Sequence, residues 1–156
     1  MEKFCIVGIG NPNSKYLNTR HNIGKDWLIN ISKKYFKEAD DILDFPLSKI
    51  ILDGPDEKLN LTENTQPAVF LVSYCIYNLI KENFNFDLSN AKYFAGHSLG
   101  EYTAAACSGM LSFSDTIKIL KIRGKAMQNS VPNGEGGMLA ILGSDIKTCL
   151  LYTSPS

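Results

Sequence analysis

The sequence predicts an α/β protein, because short apolar runs of strand character alternate with longer segments of helical spacing. The three predicted buried strands lie at 3–8, 92–96 and 138–142, and the first two end in glycine. Between them, apolar residues recur at three- and four-residue spacing, which predicts helices. This order of strands and helices favours a sheet with helices packed on it.

The segments before residue 61 predict one long helix between irregular stretches. The first strand is followed by a turn-rich stretch at 8–13. Residues 24–40 carry apolar and charged side chains at helical spacing, which predicts a helix. Residues 53–60 combine Asp-Gly-Pro with many charges, which predicts a surface loop or a short turn.

A second helix is expected to open at Pro67, with Asn64 or Thr65 as its N-cap. Its apolar residues recur with the spacing of one helix face. They are Val69, Val72, Ile76, Leu79 and Ile80.

Two further helices are predicted after the second strand. Small residues at 104–106 suit a helix that packs closely against a sheet. Ser112 and Asp115 have the spacing of a capping box, which predicts a helix from about 114 to 130. Residues 131–137 are rich in glycine and predict a flexible linker before the third strand.

The composition is that of a soluble, single-domain protein. The 156 residues include 16 basic and 16 acidic side chains, so the net charge gives no reason to expect nucleic acid or membrane as a partner. No apolar run reaches the ~18 residues of a membrane span, and the N-terminal run is too short for a signal peptide. The four cysteines are widely spread, so we expect reduced thiols, a cytoplasmic location and no metal site.

The most informative motif is Gly96-His97-Ser98-Leu99-Gly100, which has the G-x-S-x-G pattern of a nucleophile elbow. A serine hydroxyl reacts well only when a base removes its proton and donors stabilise the oxyanion. In an elbow, Ser98 would lie on a strained turn between strand and helix, with the Leu99 N–H directed at the oxyanion. We therefore predict that Ser98 is a nucleophile; the alternative is a glycine-rich turn with an incidental serine.

Three further side chains are candidates for the same site. His97 is adjacent to Ser98 in sequence, which favours a histidine packed or hydrogen-bonded beside the site over a general base. His21 could reach the serine only if the early loop and the second strand are neighbours in the sheet. Arg123 could bind a carboxylate through two hydrogen bonds, although the pattern alone favours a solvated arginine among neighbouring lysines.

Six segments together carry a resemblance to a known family; they are the residues at 38–43, 61–68, 96–102, 123–124, 127–128 and 136–143. From about residue 24 to residue 147, the chain resembles malonyl-CoA:acyl-carrier-protein transacylase, the acyltransferase of fatty acid and polyketide synthesis. The fold that this resemblance implies is a partial hydrolase-like parallel-sheet domain with the beginning of a ferredoxin-like subdomain.

The resemblance also implies roles for individual residues. Ser98 would take the malonyl group from coenzyme A as an ester and pass it to the phosphopantetheine thiol of acyl carrier protein. Arg123 matches the arginine that pairs with the free malonyl carboxylate. Gln66 matches a glutamine at the edge of the active site, His97 lies beside the substrate, and Leu99 matches the donor of one oxyanion-hole N–H. The implied partners are malonyl-CoA and acyl carrier protein, with no cofactor.

The chain departs from the family pattern in three places. Residues 4–24 resemble the start of bacterial peptidyl-tRNA hydrolase, in which residues matching Asn11 and His21 serve in catalysis. The general-base histidine of the acyltransferases lies far downstream, so we expect a truncated chain with impaired turnover. Residues 148–156 do not continue the family pattern, and we expect them to be a non-native tail.

The predicted organisation is therefore a hydrolase-like opening at 1–23, a partial large acyltransferase subdomain at 24–136, the start of a small subdomain at 137–147, and the tail. The leading function is malonyl transfer. The alternatives are a peptidyl-tRNA hydrolase, which would bring a nucleic acid partner, a generic serine esterase in which Arg123 is dispensable, and a fragment that folds without catalysing.

Overall fold

A computed structural model describes residues 23–83, 91–131, 135, 143 and 145–148. The predicted strands at 3–8 and 138–142 lie outside the described residues. Along the described chain we number six helices; they are α1 (Ile23–Leu43), α2 (Leu47–Asp53), α3 (Asp56–Leu59), α4 (Thr62–Asn83), α5 (Leu99–Cys107) and α6 (Phe113–Gln128).

Helices α4 and α6 form the centre of the fold, and α4 also packs against α1 and α5. Phe70 and Leu71 of α4 are fully buried, as are Ile117 and Leu120 of α6. The Phe70 ring stacks on Phe113 with ring centroids 5.6 Å apart. Burial of each large apolar side chain contributes about 1.5–3 kcal/mol. This core places the first turns of α4 beside the second half of α6.

Residues 92–96 do not form the predicted strand in this structure. Residues 91–96 have no regular secondary structure and their side chains are exposed, that of Tyr93 to 89%. A strand is stabilised by hydrogen bonds to a neighbouring strand, and no other strand lies among the described residues to provide them. The described fold is therefore helical, and the sheet of the α/β class stays a prediction.

Helix α4 begins at Thr62, earlier than the predicted opening at Pro67. The predicted N-caps Asn64 and Thr65 lie inside the helix. Their backbone N–H groups both donate to the Leu61 carbonyl oxygen, at 2.7 and 2.8 Å. The earlier start is stabilised from α6, because Gln128 Oε1 accepts a hydrogen bond from the Thr62 N–H at 3.0 Å. This contact satisfies one of the N-terminal donors that a helix leaves unpaired.

The apolar face predicted for α4 is correct only in part. Leu79 is buried, but Val69 is 44% exposed and the other three predicted residues are half-buried. Helix α4 packs against neighbours on several sides, so its buried surface is broader than the single stripe of a surface helix. The most deeply buried residues are Pro67, Phe70, Leu71 and Cys75.

The other predicted helices are confirmed. Helix α1 extends the one expected at 24–40, α5 follows Ser98, and α6 matches the one expected from about 114 to 130. The predicted cap is also present, because the Asp115 N–H donates to Ser112 Oγ at 3.0 Å. The predicted loop at 53–60 contains the end of α2 and the single turn of α3.

Gly124 marks a close approach of α6 to α4. A Cβ atom at this residue would lie 2.6 Å from the Thr62 carbonyl oxygen and 2.7 Å from Glu63 Cα. Both atoms belong to the backbone, so a larger side chain could fit only if the two helices moved apart. The absence of a side chain at Gly124 therefore sets the spacing that the candidate site depends on.

We expect Gly124→Val to lower the free energy of unfolding by about 2–3 kcal/mol, because overpacking forces backbone shifts. Urea denaturation followed by circular dichroism measures the change. Lys125→Val is the matched control, since Lys125 is the exposed neighbour in the same helix, and it should cost no more than about 0.5 kcal/mol. Equal stability of the two variants would show that α4 and α6 can separate freely.

Candidate active site

Ser98 lies on a sharp turn that caps the N-terminus of α5. Its φ of 55° and ψ of −117° are strained for a residue with a side chain, at a cost of order 1–3 kcal/mol that the surroundings must impose. The Gly100 N–H donates to the His97 carbonyl at 2.8 Å, and the Glu101 N–H donates to the Ser98 carbonyl at 3.1 Å. The turn has the strain expected of a nucleophile elbow and leaves Ser98 exposed.

The two glycines of the motif have different structural roles. A Cβ atom at Gly96 would lie 1.9 Å from the Gly100 carbonyl oxygen, so the chain can fold back here only without a side chain. A Cβ atom at Gly100 would meet no atom within 4 Å. Packing therefore requires the first glycine of the motif and leaves room at the second.

Arg123 of α6 joins the elbow to α4. One terminal nitrogen of its guanidinium (Nη2) donates to Ser98 Oγ at 3.1 Å. The other, Nη1, donates to the Oε1 atom of Gln66, which is 4% exposed. The Gln66 amide nitrogen in turn contacts Met127 Sδ at 3.3 Å. The structure thus brings together Ser98, Gln66 and Arg123, which are far apart in sequence.

The charge of Arg123 is not neutralised by its hydrogen-bond partners. Within the described part of the chain, its acceptors are a hydroxyl oxygen of Ser98 and an amide oxygen of Gln66, and both are neutral. A half-buried guanidinium binds best to a carboxylate or phosphate, which it can contact through two parallel hydrogen bonds. The site therefore presents a cation beside a candidate nucleophile and favours an anionic ligand.

A second contact aligns α6 with the start of α4. Lys121 Nζ donates to Asn64 Oδ1 at 2.7 Å and lies 4.3 Å from the centroid of the Phe45 ring. Burial lowers the pKa of Lys121 from its ordinary value. Lys121 precedes Arg123 by two residues in α6. The bond from Lys121 to Asn64 therefore restricts how far Arg123 can move relative to Gln66.

Tyr102 belongs to the site but was not predicted from the sequence. Its ring centroid lies 5.7 Å from the Cζ atom of Arg123, within the range of a cation–π contact. Tyr102 follows Ser98 by four residues, so the helical spacing of α5 could have indicated that both lie on the same side of that helix. The contact to Arg123 crosses between helices and has no signal in a single sequence.

His97 and Leu99 flank Ser98 in the chain. His97 is exposed and borders a cleft of ≈ 480 Å³, which Val69, Tyr77 and Cys107 also line. Leu99 is the first residue of α5, so its N–H is one of the donors that no carbonyl within the helix can accept. This position suits the predicted oxyanion donor.

Cys107 is a second nucleophile near the motif, and it lines the same cleft as His97. Burial raises the pKa of Cys107 to about 11. At neutral pH it is therefore a protonated thiol, which is a poor nucleophile compared with a thiolate. Ser98 is the better candidate for acylation, because it is exposed on the strained turn and lies beside Arg123.

The remaining predictions for the site are only partly covered by the structure. The alternative hydrolase residues Asn11 and His21 lie outside the described residues, so their role stays a prediction. Among the residues that the structure describes, no cluster of three or more His, Cys, Asp or Glu could hold a metal ion. No helix in that part is long and apolar enough to cross a membrane.

Comparison with known proteins decides the family. A family model for the acyl transferase domain matches residues 29–155, which is most of the chain. The chain belongs to the acyl transferase domain family. Within this family it is similar to the malonyl CoA-acyl carrier protein transacylase of Haemophilus influenzae, with 41% identity over 145 residues, or 93% of this chain.

Solved structures of acyl transferases share the fold of this chain. The acyl-carrier-protein S-malonyltransferase of Bartonella henselae matches 79% of this chain with a TM-score of 0.69 and 41% identity. A malonyl-transacylase in complex with a type II polyketide-synthase acyl-carrier protein matches 66% of this chain with a TM-score of 0.57 and 38% identity. The chain spans 45% of the Haemophilus protein and 40% and 32% of the two solved chains.

Proposed function

We propose that this acyl transferase domain moves a malonyl group from coenzyme A to the phosphopantetheine thiol of acyl carrier protein, in fatty acid biosynthesis. The observation that carries the proposal is the contact between Arg123 and Ser98, which puts an uncompensated cation beside a strained serine. Its relatives are malonyl CoA-acyl carrier protein transacylases, which supports the same substrate and acceptor.

The proposed reaction has two acyl-transfer steps. In the first, Ser98 Oγ attacks the thioester carbonyl of malonyl-CoA, the carbon–sulfur bond breaks, and the coenzyme A thiol leaves with the serine proton. In the second, the carrier-protein thiol attacks the serine ester, and Ser98 recovers its proton. The overall reaction consumes one thioester and forms another, so its atoms and electrons balance without a cofactor.

Arg123 gives the site its preference for a malonyl group. In a malonyl ester, the free carboxylate is separated from Ser98 Oγ only by the ester carbon and one methylene group. With its Nη2 atom 3.1 Å from Oγ, the guanidinium needs only a small displacement to bind that carboxylate. Gln66 holds the other side of the guanidinium through its buried amide oxygen. A generic esterase would not need this arrangement.

The oxyanion of each tetrahedral intermediate would form at the N-terminus of α5. The Leu99 N–H is the proposed donor, and the positive end of the helix dipole adds to the stabilisation. His97 would border the bound substrate on the side of the cleft. Removal of one such oxyanion donor lowers kcat by about 10²–10³ in other acyl-transfer enzymes.

The proposed organisation follows the predicted boundaries, with the large subdomain at 24–136 and the small subdomain beginning at 137. The family match extends to residue 155, and the similarity to the Haemophilus protein includes 145 of the 156 residues, so it enters the opening at 1–23. Peptidyl-tRNA hydrolase is therefore the weaker candidate for the whole chain. We propose a cytoplasmic location, as for a soluble enzyme of fatty acid synthesis.

Transfer to a defined acceptor tests this proposal. We expect the chain, mixed with malonyl-CoA and phosphopantetheinylated acyl carrier protein, to form malonyl carrier protein faster than the mixture without it, as followed by intact mass. Ser98→Ala should reduce the rate to that of the mixture without the chain. Ser108→Ala, an exposed serine after the same helix, is the matched control and should keep the rate. Equal rates for the wild-type chain and Ser98→Ala contradict the proposal.

A further inference from the structure

We infer that Tyr102 is a positioning residue that holds Arg123 in place and thereby sets the preference for an acyl group with a free carboxylate. The inference rests on the proposed function, which assigns the carboxylate to Arg123. The observation behind it differs from the one that carries the proposed function, because it is the contact of Arg123 with the Tyr102 ring and not a hydrogen bond of the guanidinium.

The guanidinium of Arg123 is held from three structural elements. Gln66 of α4 accepts one hydrogen bond, Ser98 on the elbow accepts another, and the Tyr102 ring of α5 lies 5.7 Å from the Cζ atom. Tyr102 is half-buried and packs against the hydrophobic core, so its ring has a fixed support. The same short helix therefore begins at the nucleophile and carries the ring that contacts the arginine.

An aromatic ring can hold a guanidinium without occupying its hydrogen-bond donors. The negative face of the ring attracts the cation electrostatically, whereas a carboxylate in the same place would compete with the substrate for the N–H groups. Lys121 is likewise placed over a ring, that of Phe45, and donates to Asn64 at the start of α4. The Tyr102 contact leaves the Arg123 cation facing the serine, which is what recognition of an anionic acyl group requires.

The expected consequence is a change in selectivity. The carboxylate of a malonyl group binds Arg123, so malonylation depends on how the guanidinium is oriented. An acetyl group has no carboxylate, so acetylation does not depend on that orientation. Loss of the ring should therefore slow malonylation of Ser98 more than acetylation. A purely structural role for Tyr102 would slow both reactions by the same factor.

The test compares acylation of Ser98 by malonyl-CoA and by acetyl-CoA, measured by intact mass at short times in the full chain. We expect Tyr102→Leu to lower the ratio of the malonyl rate to the acetyl rate about fivefold to tenfold. Tyr102→Phe keeps the ring and should restore the wild-type ratio. Tyr93→Leu is the matched control, because Tyr93 is 89% exposed, and it should leave the ratio unchanged.

The ratio is taken within one variant, so a lower fraction of folded protein cancels from it. An unchanged ratio in Tyr102→Leu, with Ser98 still malonylated in the wild-type chain, overturns the inference and leaves the proposed function standing. A ratio that falls equally in Tyr102→Phe assigns the effect to the hydroxyl and also overturns it. A wild-type chain that neither thioester acylates overturns the proposed function together with the inference.

Discussion

Replacement of Arg123 by alanine is expected to slow malonylation of Ser98 about a hundredfold, which corresponds to roughly 2.7 kcal/mol. The loss has two sources. The substrate carboxylate loses its partner, and the buried Oε1 atom of Gln66 loses the hydrogen bond that Arg123 donates to it. Acetylation of Ser98 should fall much less, because an acetyl group makes no contact that depends on the charge.

Rates of acylation by the two thioesters, measured by intact mass, check this expectation. Arg123→Lys should recover only part of the malonyl rate, because an ammonium group cannot bind Gln66 and a carboxylate through the planar fork of a guanidinium. Lys118→Ala is a suitable control, because Lys118 is an exposed cation of the same helix. A malonyl-to-acetyl ratio that does not change in Arg123→Ala would assign Arg123 a structural role only.

Gly96→Ala is expected to reduce acylation of Ser98 by a hundredfold or more, while Gly100→Ala stays within about threefold of the wild-type chain. At Gly96 the added methyl group would lie 1.9 Å from the Gly100 carbonyl oxygen, so the elbow must open. Opening removes the constraint that holds Ser98 at a φ of 55° and moves its Oγ atom away from Arg123. At Gly100 the same methyl group meets no neighbour.

Acylation rates and thermal unfolding of the two variants distinguish a local effect from a global one. Because opening the elbow also releases about 1–3 kcal/mol of backbone strain, Gly96→Ala should lose activity with little loss of stability. This differs from Gly124→Val, which should lose both. An active Gly96→Ala chain would show that the strained turn is not needed for the reaction.

Local sequence signals predicted those elements that depend on neighbouring residues. The helix after Ser112 follows from a cap whose partners are three residues apart, and the structure confirms it. The start of α4 could not be predicted in this way, because Gln128 stabilises it from 66 residues further along the chain. The strand expected at 92–96 also depends on a distant partner, since its apolar pattern forms a ladder only beside another strand.

In the candidate site too, the sequence predicts what a local motif determines but not what contacts between distant residues determine. Ser98 was predicted from five consecutive residues, and its strained backbone agrees with that motif. Arg123 was predicted for the site only through the family resemblance, because its spacing alone is that of a solvated helix residue. Its contacts reach 25 residues to Ser98 and 57 residues to Gln66. Tyr102 was missed because a contact between two helices leaves no local pattern.

Location of the acyl group on the chain tests most directly whether Ser98 is the nucleophile of a malonyl site. We predict that brief exposure to malonyl-CoA, followed by acid quenching and peptide mass analysis, will place a malonyl ester on Ser98. No malonyl group should be found on Cys107, whose pKa of about 11 keeps it protonated. A malonyl group on Cys107, or an unmodified Ser98 in a folded chain, would contradict the assignment of the site.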